Sequence, residues 1–189
     1  MMLLKSRKAL STVVTTLIIL VVSVLLATVV TFYAINATTT RVQEESLQIT
    51  KLHVWCTNDG DASAAFMITN TGGRDVVLDK ITVRGRECNT SYVYYWKLDD
   101  ATPPDLEWVA GGNDPKTNLN SKYQSYGANF EQLGNKSLTL RSGARMVVYA
   151  YNLKWISTSD IGVSISVVVF TSNAQYYKET NVKAVIPTP

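Results

Sequence analysis

The chain has 189 residues, in which 18 lysines and arginines face 15 acidic side chains and give a formal charge of +3. Lys5, Arg7 and Lys8 account for this excess, so the remainder carries no basic stripe that would indicate a nucleic-acid partner. The length fits one domain of ordinary size and one tail.

The first segment of the chain is apolar and carries no charge from Ala9 to Thr40. As an α-helix it would be about 48 Å long, whereas a bilayer core needs only ~30 Å. A secretory signal has a shorter hydrophobic region, about 7 to 15 residues, followed by a small-residue cleavage site. Cations before the segment, and none after it until Arg41, place the N-terminus in the cytoplasm and the rest outside.

Serine, threonine and valine are spread through this segment, which favours close packing of helix against helix in an apolar setting. After Thr40 the sequence becomes amphipathic, and we expect one continuous helix over residues 10–50. A helix that is apolar on all sides is stable in lipid or in a bundle but not in water. The residues expected in the core of such a bundle are Val13, Thr16, Leu17, Leu20, Val24, Ala27 and Phe32.

The segment SRKALSTVVTTLIILVVSVLLATVVTFYAINATTTRVQ resembles the N-terminus of archaeal type IV pilins and archaellins. In these families a membrane prepilin peptidase removes a short basic leader before the hydrophobic helix. The resemblance implies a leader over residues 1–9, with cleavage at Lys8, Ala9 and Leu10 so that the mature chain begins at Leu10. Bacterial pilins carry Glu at the fifth mature position, where this chain has Val14, and this fits the archaeal branch.

The resemblance also implies a place and partners for the chain. The helix would first sit in the cytoplasmic membrane and then pack with copies of itself in the core of an extracellular cell-surface filament. Its partners would be those copies, the prepilin peptidase and the pilus assembly machinery. Head-to-tail contacts that do not close produce open fibres of this kind. The alternative is a single-pass membrane anchor that carries a cell-surface β-sandwich binding module.

Beyond Lys51 the apolar residues alternate, and Leu52, Val54 and Cys56 share one face of a strand. Further strand-like segments follow, separated by Gly, Asn and Asp turns, with no convincing helix. Six to eight short strands over residues 51–189 predict an antiparallel, immunoglobulin-like β-sandwich head, and with the helix an α+β chain. The turn at residues 70–73, Asn-Thr-Gly-Gly, is expected to close a hairpin.

Residues 99–137 interrupt the strands with a long insertion loop rich in Asn, Gly, Pro and Ser. Structureless loops of this length are uncommon in compact domains and are often functional or mobile. One hypothesis is an outer contact or adhesion loop; the other, which we favour, is that its aromatic residues pack over one sheet. These aromatic residues are Trp108, Tyr123, Tyr126 and Phe130.

Cys56 and Cys88 each lie in or beside a predicted strand, and outside the cell an oxidising environment favours a disulfide between them. The alternative is a pair of buried thiols. Two cysteines and one distant histidine make a poor metal site, so no zinc or other metal is expected.

N-glycosylation sequons begin at Asn36, Asn89 and Asn135. Asn135 lies in a polar loop and Asn89 in a turn. A glycan on Asn36 requires that part of the helix to emerge from the filament core; otherwise this Asn is buried between helices.

No catalytic residues are predicted. His53 is the only histidine, and a surface or packing role is expected for it. The acidic residues Asp99, Asp100, Asp105 and Glu107 lack the spacing of a calcium loop and are expected to be solvated. The sequence also lacks a glycine-rich phosphate loop, so we expect no enzyme and no cofactor.

Overall fold

The computed structural model describes residues 3–98 and 102–185, without the side chains of residues 3–10 and 40–43. The chain divides into two compact units, residues 1–43 and 44–189, the second of which we call the head. The first unit is one long helix and the head is built mainly from strands, so the α+β class is confirmed.

Helix α1 spans Leu3–Gln43, or 41 residues, which corresponds to about 62 Å. The expected end near residue 50 is wrong, because strand β1 already begins at Leu47. Leu47 and Ile49 are both buried and two positions apart, which is the period of a strand. Their burial in the head therefore overrides the amphipathic helical pattern that the sequence shows after Thr40.

The head contains ten strands and one short α-helix among its described residues. The strands are β1 Leu47–Thr57, β2 Ala62–Asn70, β3 Val76–Val83, β4 Arg86–Glu87, β5 Val93–Leu98, β6 Glu131–Gln132, β7 Leu138–Leu140, β8 Arg145–Ala150, β9 Ser164–Thr171 and β10 Gln175–Val185. Helix α2 spans Pro115–Lys122, with Asp114 as its N-cap. The sequence analysis did not predict this helix, because only Leu119 within it is buried.

The strands form a single curled sheet in the order β4-β3-β9-β10-β1-β2-β8-β5-β6, and β7 pairs with β3 beside β4. Strands β1 and β10 are parallel, with Val54 opposite Val182, and the other pairs are antiparallel. The expected antiparallel, immunoglobulin-like sandwich is therefore wrong in topology. Alternation of apolar residues is the same in parallel and antiparallel strands, so the sequence pattern could not separate the two.

The expected hairpin at residues 70–73 is also wrong. Strand β2 pairs with β1 and β8, whereas β3 pairs with β9, β7 and β4, so the turn carries the chain to another part of the sheet. The buried side chain of Asn70 holds this crossing by donating to the carbonyl of Arg74 at 2.8 Å and that of Leu140 at 3.1 Å.

Two hydrophobic cores cover the two faces of the sheet. The first lies inside the curl and joins strands that are distant in the sheet order, such as β3 through Val83 and β8 through Val148. The second joins outward-facing residues of β1, β2, β5 and β8 to the insertion, from which Leu106, Leu119 and Phe130 are buried. The insertion is therefore part of the packed head.

Candidate functional site

Helix α1 is the first candidate, because its apolar surface is exposed throughout the described side chains. Residues 11–39 are exposed and have a mean hydropathy of 2.9, long and apolar enough to cross a membrane. The expected bundle-core residues Val13, Thr16, Leu17, Leu20, Val24, Ala27 and Phe32 all lie on this exposed surface.

Serine and threonine hydroxyls along the described part of α1 donate hydrogen bonds back to the backbone of the same helix. Thr15, Ser23 and Thr28 each donate to the backbone carbonyl four residues earlier, at 2.7 to 2.9 Å. Thr31, Thr38 and Thr39 do the same at 2.8 Å. Side chains that bond back to their own helix present mainly methyl and methylene groups outward, which suits a lipid or helix-bundle environment.

The expected cleavage residues Lys8, Ala9 and Leu10 lie within the backbone span of α1, and their side chains are outside the described part. The Lys-Ala-Leu cleavage assignment therefore stays a prediction.

The first residues of the head are held firmly to it. The backbone N–H groups of Thr71 and Gly72 donate to the carbonyl of Ser46, and that of Gly73 donates to Glu44. Glu45 accepts hydrogen bonds from Thr171 and, at 3.0 Å, from Asn173. A Cβ on Gly72 would lie 2.6 Å from the carbonyl oxygen of Glu44, so only glycine fits this approach.

Cys56 and Cys88 are free thiols and are both buried, so the expected disulfide is not formed. Strands β3, β9 and β10 lie along the sheet between β1, which contains Cys56, and β4, which precedes Cys88. Burial, with the nearby Glu87 charge, raises the pKa of Cys88 to about 12 and disfavours its thiolate. The thiols serve as apolar core residues in this structure, which is the alternative that the sequence left open.

The three sequons lie in different settings. Asn89 and Asn135 are exposed in the head, and Asn89 caps a short 3₁₀ turn by accepting from the N–H of Ser91 at 2.9 Å. Asn36 is exposed but lies inside α1. Use of any of the three as a glycan site stays a prediction.

His53 connects two parts of the head at the sheet surface. Its Nε2 lies 2.8 Å from Asp105 Oδ1, and its Nδ1 lies 3.0 Å from Lys183 Nζ. Lysine can only donate, so Nδ1 accepts and Nε2–H donates to the carboxylate. The hydrogen bond from His53 holds the pKa of Asp105 below its usual range. This arrangement ties the insertion to β1 and β10, and it gives His53 a positional role.

The other acidic residues of the insertion that the structure describes form no metal site. Asp99 and Asp100 lie outside the described residues, and Glu107 forms an exposed ion pair with Lys122. Among the described residues, no group of three acidic, histidine or cysteine side chains could hold a metal.

Tyr123 of the insertion takes part in a closed hydrogen-bond ring in the second core. Glu107 N–H donates to the hydroxyl of Tyr123 at 2.8 Å, and the hydroxyls of Tyr123 and Tyr149 lie 2.6 Å apart. The Tyr149 hydroxyl donates to the carbonyl of Glu107 at 2.8 Å, so Tyr123 donates to Tyr149. Burial raises the pKa of Tyr149 far above its usual range and keeps it neutral.

The second candidate is a groove at one end of the sheet, with a volume of about 700 Å³. Five segments meet there: the β1–β2 turn, the entry to β5, residues 108–115 of the insertion, strand β6 and the exit from β8. The side chains that line it include Trp108, Tyr92, Tyr94, Tyr151, Asp59, Asp61, Asn113, Gln132, Asn152 and Lys154. Sequence reasoning missed it because these residues are distant in the chain; the abundance of tyrosine and tryptophan was the available signal.

Tyr151 is the most unusual residue of the groove. Its side chain is only 8% exposed, and its hydroxyl has no hydrogen-bond partner in the described part of the chain. Tyr94 meets the ring edge-on at 5.9 Å, Tyr149 stacks with it at 6.2 Å, and Gly111 lies close to it. A Cβ on Gly111 would approach the ring to 3.1 Å.

No family model and no curated protein matches this chain. Among solved structures it is similar to Pseudomonas fluorescens alkylpurine DNA glycosylase AlkC bound to DNA containing an abasic site analogue, with 15% identity and a TM-score of 0.30. That match covers 73% of this chain and 30% of the glycosylase. It is also similar to β-glucosidase from Listeria innocua in complex with glucose, with 11% identity and a TM-score of 0.27, over 76% of this chain and 16% of the glucosidase. Likeness at this level carries no argument about function.

Proposed function

We propose that the chain is a structural subunit of an extracellular, archaeal type IV pilus-like filament. It polymerises through helix α1, and the head is exposed on the fibre for adhesion or environmental contact. The observation that carries the proposal is the surface of α1, which is exposed and apolar over residues 11–39. The proposal includes no enzymatic role.

The length of the apolar surface supports polymerisation. Its 29 residues extend about 43 Å, whereas a bilayer core is ~30 Å thick. Burying apolar area against neighbouring helices stabilises an assembly by ~25 cal/mol per Å², as an upper bound before ordering costs. The hydroxyls of Thr15, Ser23 and Thr28 already bond to their own helix, so their burial leaves them paired.

The proposed life cycle follows from the pilin resemblance. The chain enters the cytoplasmic membrane through α1, the prepilin peptidase cuts before Leu10, and the pilus assembly machinery adds the subunit to copies of itself. The fibre lies on the cell surface, and nucleic acid is not a partner.

The second candidate is a single-pass membrane protein whose head acts as a cell-surface binding module. The observation that favours it is that residues 11–39 alone are sufficient to span one bilayer. In that case α1 stays in lipid and the leader is retained.

N-terminal sequencing and intact mass of protein sheared from the cell surface separate the two candidates. The filament subunit is expected in the sheared fraction with Leu10 as its first residue. A chain that keeps its leader and occurs only in detergent-extracted membranes would contradict the filament proposal and support the anchor.

Charge substitutions in α1 test polymerisation directly. Thr16→Lys, Leu20→Lys and Val24→Lys each place a cation on the exposed apolar surface, and filament yield is expected to collapse because the charge must be buried between helices. Leu20→Ile is the control, since it keeps the surface apolar. A normal yield of filaments from all three lysine variants would contradict the proposal.

A further inference from the structure

The groove at the end of the sheet has walls of aromatic rings. Trp108 and Tyr92 are partly or largely accessible, and Tyr92 is 41% exposed. Tyr94 and Tyr151 form the buried part of the same wall. An aromatic face carries partial negative charge and attracts polarised C–H groups, such as those on one face of a pyranose ring.

The remaining lining consists of hydrogen-bonding groups with little net charge. Asn113, Gln132 and Asn152 offer amides that both donate and accept, and Asp59 and Asp61 offer carboxylates. Lys154 is the one cation among the described lining residues. Two carboxylates against one ammonium group disfavour a phosphorylated, sulfated or other anionic ligand, and the paired donors and acceptors suit hydroxyl groups.

The floor of the groove is preformed around Tyr151. This residue directly follows strand β8, and its backbone N–H donates to the carbonyl of Tyr92 at 3.0 Å. Its ring is packed between Tyr94 and Gly111, and its hydroxyl lies enclosed beneath the groove surface. A ligand therefore meets a rigid aromatic floor, and the groups that bond to it are the exposed side chains of the rim.

We propose that this groove binds a neutral saccharide, with pyranose rings on Tyr92 and Trp108 and sugar hydroxyls bonded to the neighbouring amides and carboxylates. The volume of about 700 Å³ lies within the ~300–1,000 Å³ of small-molecule sites and accommodates a short oligosaccharide. The groove is open at the surface, so a longer glycan chain can continue into solvent. An extended peptide is the competing occupant.

The site adds a ligand class to the exposed role of the head in the filament proposal, but it does not depend on polymerisation. Every lining residue belongs to the head, so binding is measured on unassembled full-length chain. Failure of saccharide binding and failure of filament assembly are therefore separate results.

Saturation-transfer difference NMR on the full chain tests the proposal. The chain is kept in a sugar-free detergent, because alkyl maltosides and glucosides would compete for the groove. The probes are maltotriose, cellotriose, mannotriose and triacetylchitotriose, each titrated to about 10 mM, and trialanine as the peptide probe. At least one trisaccharide is expected to show transfer, and trialanine none.

Two variants locate the binding. Tyr92→Ala removes an exposed stacking ring, and Asp59→Ala removes an exposed carboxylate acceptor; each is expected to weaken binding at least about fivefold. Tyr151→Phe removes only the enclosed hydroxyl, so it should leave the affinity unchanged and the head as thermally stable as the parent or more so. Tyr177→Ala, on β10 away from the groove and 60% exposed in the parent, is the matched control and should change affinity less than about twofold.

Three results would overturn the proposal: no transfer to any of the four trisaccharides, saccharide binding that Tyr92→Ala and Asp59→Ala both leave unchanged, or transfer to trialanine alone. The last would assign the groove to a peptide.

Discussion

Phe130→Ala is the most direct test of whether the insertion belongs to the folded head. Phe130 is fully buried and contacts the rings of Trp96 and Tyr149, each at 5.7 Å, and of Tyr123 at 6.1 Å. A buried aromatic side chain removes about 150–250 Å² from water, which at ~25 cal/mol per Å² is about 4–6 kcal/mol. The Ala methyl group that remains makes the lost burial energy smaller, and the cavity left behind adds a further cost. The free energy of unfolding is therefore expected to fall by about 3–5 kcal/mol.

Urea unfolding followed by tryptophan fluorescence measures this loss, and thermal unfolding should show a fall of about 10–15 °C in Tm for a domain of this size. Tyr177→Ala on the exposed face of β10 is the control, with an expected change within about 0.5 kcal/mol. A loss below about 1 kcal/mol for Phe130→Ala would refute the packing argument, because a side chain on a detached loop can be truncated at little cost.

Three further predictions concern the head. Tyr149→Phe should lower the free energy of unfolding in urea by about 1–3 kcal/mol, because it breaks the hydrogen-bond ring and leaves the Glu107 carbonyl without its donor. An unchanged free energy of unfolding would argue against the ring. Gly72→Ala should cost more than Gly143→Ala, because the first clashes with backbone while the second meets only the strain of a φ of +75° in open space; equal losses would argue against the close approach. The carboxyl of Asp105 should titrate below its usual range by NMR and move back towards it in His53→Ala. Its stabilising contribution is thus present above about pH 4 and lost as the pH falls through its lowered pKa; an unaltered titration in that variant would exclude the His53 hydrogen bond as the cause.

The order of apolar and polar residues along the chain predicted those features of the fold that depend on one segment alone. The long apolar helix and the α+β class are confirmed, since an uncharged run and a later alternation require no knowledge of the partners. In β1, Leu52, Val54 and Cys56 lie in one core as their spacing predicts, and Trp55 lies in the other. The aromatic insertion also packs on a sheet face, because large apolar rings in an ordered loop lower the free energy by leaving water.

The pairing of strands depended on information that the local pattern lacks. Asn-Thr-Gly-Gly is compatible with a tight hairpin, but a buried Asn70 that bonds across to Leu140 makes the turn a crossing instead. The end of α1 was misplaced for a similar reason. Ile49 lies seven positions after Val42, which is a helical spacing, and two after Leu47, which is a strand spacing, and only burial in the head decides between them. The sequence could not reveal the groove, because its five segments meet only after β2, β5, β6 and β8 have paired.

The residues that join the two units explain how a head could be carried on a polymerised helix. If copies of α1 are locked in a fibre, any pull on the head passes through the chain at residue 44. Glu44 and Ser46 are bonded to the turn at residues 71–73, and Glu45 to the turn after β9, before β1 has entered the sheet. Load is thus divided between backbone hydrogen bonds and β1 pairing with β2 and β10, instead of opening one strand from its end. Because Gly72 is the residue that permits this approach, a side chain there should break these hydrogen bonds and lower the stability of the head.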